Sequence, residues 1–489
     1  MYIIEIFYSI AFLLAFRYWS VLQIKNIPIW AMPTAFGIKM LVGVVFLILY
    51  MHPDTNNSVP SDTMRYLRES GYLHAVFKKS PKDYFTLLFG IGDDTLLVKK
   101  YLQNTFLWCS GSYTIVNDSR NIIRLHSVIQ FISFGSPYVH ALFMSFFALI
   151  GLKNLLISFE KFSIVKPIYI FGALLLFPSI LFWTSGVLKE PILFLGLGLC
   201  ARSFLVKEHL FKRIFYGVLS FVILISVKPY VLICVFPAVT FYFLYKYIFN
   251  KRIILGLITT FLIGVLVALT FSKTTQKGVQ YLSRKQYDFT HIGKGGLFVR
   301  GDTSLLYFGP KQYSKFEINI KDTFVIIKKP SYGLIVSLKH NYISKPTTVY
   351  PDGKKRLLVY YVGGAMSYIE TTPINNSRIQ ILKNIPEAFI NSFFRPLPTD
   401  PGSAFKYPAM LEVWLLFFLL IISFSNRRKI DSQTFAIISS LFLFSFFLFL
   451  IIGWTTPVIG AIFRYRFPAQ LALLIICLLL ISPPKKSSE

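Results

Sequence analysis

Residues 434–463 read TFAIISSLFLFSFFLFLIIGWTTPVIGAIF, thirty consecutive positions without a formal charge. A helix needs roughly 20 mostly apolar residues to cross a bilayer, whereas a barrel strand needs only about 9–11. In lipid the backbone must satisfy its own hydrogen bonds, which leaves helices and closed barrels as spanning structures. This run is too long for a barrel strand, so it predicts a spanning α-helix. Residues 253–271, IILGLITTFLIGVLVALTF, read the same way. Working outward, similar runs fall at 3–22, 34–51, 130–152, 167–184, 187–206, 214–227, 230–246, 409–425, 434–454 and 466–482, for eleven expected spans in all. Glu5, Arg17 and Lys39 interrupt the first two.

The whole chain agrees with this reading. Of its 489 residues 54% are hydrophobic and only 15% charged, against about 25% charged in an ordinary soluble domain. Its mean hydropathy is +0.58. A water-soluble globular domain, a disordered chain and a collagen-like one are excluded. The four cysteines form no CxxC or Cys/His spacing, so neither a disulfide framework nor a metal site is indicated. The expected class is an all-α polytopic membrane protein with a small α+β insertion.

The net charge of +29 is informative through its position. Alternate short connections carry Lys25 and Lys39; Lys153, Lys161 and Lys166; Lys207, Lys212 and Arg213; Lys246, Lys251 and Arg252; Arg427, Arg428 and Lys429; and Lys485 and Lys486. The opposite turns carry only Lys189, Lys228, Arg464 and Arg466. The positive-inside rule makes the first set cytoplasmic, the N-terminus external and the C-terminus internal. The chain divides into two first spans (1–51), an outer loop (52–125), spans three to eight (126–271), a second outer loop (272–407), and the last three spans with a cytoplasmic tail (408–489). Residues 272–407 hold 20 Lys+Arg and 8 Asp+Glu. Their β-like runs SLLYF, TFVIIKK and LLVYYVGG alternate with turn residues.

The polar intrusions into short turns all fall on the side of the two large loops. Lys228 follows fourteen uncharged residues after Arg213, a rise of about 21 Å in a core about 30 Å thick. It either lines an outward cavity or snorkels to the interface. Lys189, Glu190 and Pro191 open a helix, where Glu suits the dipole and Lys opposes it. Arg464 and Arg466 would share a face if extended, and Pro468 favours that form, so the two guanidiniums are expected to fork onto one diphosphate, unless they only anchor the membrane interface beside Tyr465. Asp62 is the candidate catalytic base, unless Ser61 or Asp62 itself only caps a helix starting at Thr63. Asp93 and Asp94 are a second acidic candidate, with the same capping alternative. His52, His126 and His140 read as isolated polar groups.

Four short motifs, in this order, resemble the GT-C-type polytopic glycosyltransferases and the oligosaccharide-repeat (O-antigen or exopolysaccharide) polymerases of bacteria. They are SDTMRY around Asp62, the turn 182–190 (FWTSGVLKE), Phe394 to Pro398 (FRPLP) ahead of a span opened by Glu412, and Arg464 to Pro468 (RYRFP). The resemblance implies a plasma-membrane enzyme of cell-surface polysaccharide biosynthesis. It would take an undecaprenyl-phosphate- or diphosphate-linked sugar or oligosaccharide donor on the extracytoplasmic face and transfer it with inversion. It also implies Asp62 as general base, with Lys189, Lys228, Arg464 and Arg466 on the lipid phosphates. Partners would be the lipid bilayer and envelope glycan assembly proteins, with no nucleic acid. The chain departs from the pattern in placing its acidic loop after the second span and in lacking a paired carboxylate, which puts a divalent cation (Mg or Mn) in question. A flippase of lipid-linked oligosaccharide and a non-enzymatic scaffold are the alternatives.

Overall fold

The computed structural model describes residues 2–51, 61–90, 95–102, 105, 108, 118–249, 252–270, 272–300, 304–319, 324–337 and 344–482. Apolar helices dominate. Among the described residues, six helices are long and apolar enough to cross a membrane: Ala31–Met51, Pro137–Phe162, Leu210–Val227, Pro229–Ile248, Lys406–Ser425 and Ser432–Thr455. A seventh crossing arises if Ile459–Tyr465 and Phe467–Leu480, bent by 50°, are one broken span. The architecture is that of a helical membrane protein.

Of the eleven expected spans, the others are shorter, broken or shifted at identifiable places. Residues 3–22 form a helix of only 17 residues, Tyr2–Tyr18. Residues 167–184 split into Pro167–Leu176 and Pro178–Trp183, because Pro178 cannot donate to the preceding turn. The run 187–206 turns helical only at Glu190 and ends at Leu205. The expected span 130–152 straddles a break, with one helix ending at Ser133 and the next starting at Pro137. Between them Phe134 and Gly135 both take positive φ. The helix holding Glu412 starts six residues earlier, at Lys406.

Among the described residues, the basic connections around Lys161, Arg213 and Arg428 gather at one end of the bundle. Lys161 and Leu205, Arg213 and Ser203, Arg428 and Leu479, and Ser163 and Leu478 are joined by hydrogen bonds. Lys39 is the exception. It lies midway along Ala31–Met51, is buried, and donates to Thr184 and Ser185 at 2.7 and 3.0 Å. An ammonium inside a packed bundle needs such acceptors, so Lys39 braces the Trp183–Leu188 turn and is not a loop charge.

Residues 272–407 fold around a long helix, Ser272–Lys294, and an antiparallel sheet. Its strands are β1 (Gly296–Arg300), β2 (Ser304–Phe308), β3 (Phe316–Asn319), β4 (Phe324–Ile327), β5 (Ser331–Ser337), β6 (Ser344–Val349) and β7 (Arg356–Val362), in the order β3-β4-β7-β1-β2-β5-β6. The three expected runs are β2, β4 and β7. Leu297, Val299, Leu306, Phe308, Val325, Ile327 and Leu358 give the sheet its own core. The insertion is tied to the bundle by Ile369 N–H to the Pro457 carbonyl (2.8 Å) and Ile459 N–H to the Ser367 carbonyl (3.0 Å).

Helices Pro137–Phe159 and Glu190–Leu205 approach closely through glycine. A Cβ at Gly198 would run into the Gly151 carbonyl, whereas one at Gly264 would meet nothing within 4 Å. Small residues at crossings let backbones pack. We therefore expect Gly198→Val to destabilise the detergent-solubilised protein by about 1–3 kcal/mol, the usual cost of overpacking. Gly264→Val should change its melting temperature little. Equal melting of the two variants would show that this crossing is not close-packed.

Candidate functional site

The site starts from Ser61. Its hydroxyl accepts the Met64 N–H (3.3 Å) and donates to the Tyr50 carbonyl (2.6 Å). Ser61 is thus the cap, and the helix Asp62–Lys79 begins at Asp62 itself. The capping alternative for Asp62 falls away, and its carboxylate is available elsewhere. Thr63 Oγ1 donates to the Val187 carbonyl (3.2 Å), which fixes this helix over the Trp183–Leu188 turn.

That turn delivers Glu190, fully buried in the first turn of its helix. Arg464 grips Glu190 with two parallel bonds, Nε to Oε1 (2.8 Å) and Nη2 to Oε2 (3.1 Å). This fork geometry is the strong form of the pair. Lys228 Nζ donates to the same Oε1 at 2.9 Å. Lys228 sits at the junction of helices Leu210–Val227 and Pro229–Phe243, with its ammonium 4.7 Å from the centre of the Tyr465 ring. It neither snorkels nor opens onto water: its side chain is 3% exposed. The third donor of Arg464, Nη1, reaches Asp62 Oδ2 at 2.7 Å. Beside them Lys189 holds Asp118 (2.7 Å) and Ser119 Oγ (2.9 Å).

The cluster is graded in depth. Glu190 and Lys228 form a sealed floor, Arg464 and Lys189 are nearly buried, and Asp62 and Asp118 are each 38% exposed at the rim. Burial pushes the Asp62 carboxyl up, but Arg464, Lys189 and Arg65 together outweigh it and hold the group below its ordinary value. Asp62 is therefore ionised at neutral pH and, while it rests on Arg464, a weak base.

Four of the residues singled out from the sequence thus meet with Asp62: Lys189, Glu190, Lys228 and Arg464. Arg466 does not. Its backbone is helical (φ −81°, ψ −7°), and two positions along a helix point about 200° apart. The expectation of an extended, shared face is corrected. Arg466 is buried and donates to the carbonyls of Ser392 (3.1 Å) and Arg395, the far end of helix Ile385–Phe393. Asp93 and Asp94 lie outside the described residues, as does His52.

Sequence reasoning missed Asp118 and the meeting of two histidines it had read as isolated. His126 and His140 are both buried with Nδ1 atoms 2.8 Å apart, and His140 Nε2 is 2.9 Å from Ser133 Oγ. Glu412 accepts the Ser179 N–H (2.8 Å) and hydroxyl (2.6 Å) inside the bundle. A divalent cation does not fit the residues present. Asp62, Glu190 and Asp118 each already face an ammonium or guanidinium, and no three His, Cys, Asp or Glu side chains gather as ligands among the described residues.

Compared with protein families, curated proteins and solved structures, the chain matches none. The site's own energetics are testable directly. Glu190→Ala leaves Arg464 and Lys228 buried without their shared counter-charge, so it should cost about 3–5 kcal/mol in denaturant unfolding. Asp62→Asn, at the rim, should cost no more than about 1 kcal/mol. Equal losses would mean that Glu190 is not the hub of the cluster.

Proposed function

We propose that the protein is a membrane glycosyltransferase or polysaccharide repeat-unit polymerase. In this reading it uses a polyprenyl-phosphate-linked sugar donor on the extracytoplasmic face of a bacterial plasma membrane. The short and broken helices complete the eleven passes, with the N-terminus outside. The observation that carries the proposal is the juxtaposition of one rim carboxylate, Asp62, with the nearly buried cations Arg464 and Lys189, all at the end of the bundle away from the basic connections.

The chemistry assigned to these residues is a single displacement. The acceptor hydroxyl oxygen attacks the anomeric carbon from the face opposite the phosphate. Its proton passes to Asp62 as the new C–O bond forms. The bond from the anomeric carbon to the phosphate oxygen breaks, and its electron pair leaves on the lipid phosphate. Arg464 and Lys189 stabilise the charge that develops there, in a site whose buried floor keeps them desolvated. Glu190 and Lys228 hold Arg464 in place and do not contact substrate. Arg466 has no phosphate role in this proposal, since its guanidinium serves carbonyls.

In the native host, deletion of the gene followed by mass spectrometry of surface glycans and lipid-linked oligosaccharides tests the reading. Accumulated single repeat units mean polymerisation, and a glycan short by one sugar means single transfer. An unchanged profile overturns the enzyme and favours a scaffold. Complementation with Asp62→Asn should restore membrane insertion but not glycan extension. In vitro, the acid limb of kcat/KM, which reports the free enzyme, should fall below the ordinary Asp range of about 4. An acid limb near pH 6 would assign the base to another group.

A further inference from the structure

We propose that Asp62 and Asp118 are stand-in anions: they occupy, on Arg464 and Lys189, the places that the two phosphate groups of a diphosphate take, and the ligand must displace both to bind. The proposal rests on the reading of Arg464 and Lys189 as phosphate-binding groups and adds a feature that reading does not require.

Three observations carry it. First, the two carboxylates match in position. Each is the first residue of a helix, Asp62–Lys79 and Asp118–Ser133, each sits 2.7 Å from its cation, and each is 38% exposed over a cation that is only 11% or 10% exposed. The outward side of each pair is the carboxylate, which can rotate into solvent while the cation stays. Second, the charges match. With both aspartates in place, the carboxylates of Asp62, Asp118 and Glu190 balance Arg464, Lys189 and Lys228. With both withdrawn, Glu190 alone faces three cations, and the pocket carries two uncompensated positive charges. A diphosphate ester brings about that much negative charge at neutral pH. The vacated helix N-termini add N–H donors aimed at the same place. Third, the cations survive the exchange. Arg464 keeps both bonds to Glu190 when Nη1 is vacated, and Lys189 keeps Ser119. Asp62 also feels Lys189 as well as Arg464, so the two cations act on one space.

The exchange has a chemical consequence. On Arg464 the Asp62 carboxylate is a weak base; once a phosphate takes its place it is released as a stronger one, beside the ligand. Arrival of the diphosphate therefore arms the base.

The test is binding to the full-length protein in nanodiscs of zwitterionic lipid, with pyrophosphate and farnesyl diphosphate titrated separately. Removing the competing charge should tighten binding. We expect Asp118→Asn and Asp62→Asn each to bind about tenfold more tightly than wild type, with a second variant, Asp118→Ser, behaving like Asp118→Asn. Arg464→Met and Lys189→Met should lose binding. Gain for both ligands shows that the shared diphosphate is what is recognised. Gain for farnesyl diphosphate alone points to a membrane-borne source, and gain for pyrophosphate alone to a soluble one. Unchanged or weaker binding in both aspartate variants, or no binding to any variant, overturns the proposal. Failure of the glycan assay with these gains intact would instead remove the glycosyl-transfer reading and leave the exchange standing.

Discussion

One carboxylate deep in the bundle, Glu190, is shared by two cations that come from distant parts of the chain, Lys228 and Arg464. Everything around the site depends on it. A buried ion is tolerable only when paired and hydrogen-bonded, so the turn Trp183–Leu188, the junction at Lys228 and the bent helix at Arg464 must all arrive at the same point. Lys39, through Thr184 and Ser185, and Thr63, through Val187, hold the turn that delivers Glu190. The tightness of this floor leaves the rim, Asp62 and Asp118, as the place where the cluster meets solvent.

The rim also separates two kinds of ion pair within one cluster. Pairs sealed from water contribute to a fixed geometry and change little with ligand. Pairs at the edge are cheap to break, because each partner regains solvation as it separates. Placing the carboxylates at the edge and the cations beneath them puts the replaceable charge on the solvent side. The preorganised charge stays where it need not move.

Much of this was legible in the residues, for physical reasons that can be named. Apolar run length located the helices coarsely, while their starts follow proline, as at Pro137, Pro167 and Pro229, a signal the expected span 130–152 passed over. Lys189, Glu190, Lys228 and Arg464 stood out because charge inside an apolar run is costly, and all four proved to be in one cluster. Lys39 carried the same signal, interrupting the expected span 34–51, but was counted with the basic connection before it, because a lone lysine near a helix start reads as a loop charge until the acceptors Thr184 and Ser185 are seen. Asp118 gave no signal, because it lies in a polar segment where an aspartate is ordinary and only the fold brings it to Lys189. The meeting of His126 with His140 was hidden for the same reason. Arg466 misled because the proline rule biases a neighbour's backbone without fixing it: Phe467 stands between, and the helical bend absorbed Pro468. Of the sheet, the three most apolar strands were readable, while β3 (FEIN) and β6 (SKPTTV), at its edges, are too polar to announce themselves.

The 50° bend between Ile459–Tyr465 and Phe467–Leu480 has a mechanical meaning. Within a few residues, the Tyr368–Val458 bridge holds the sheet-bearing insertion, Arg464 holds the charged floor, and Arg466 holds the end of helix Ile385–Phe393. Three loads hang on one short joint. The sheet-bearing insertion, the floor and helix Ile385–Phe393 therefore share one anchor, so a change in the angle of this joint would have to be accommodated at all three attachments.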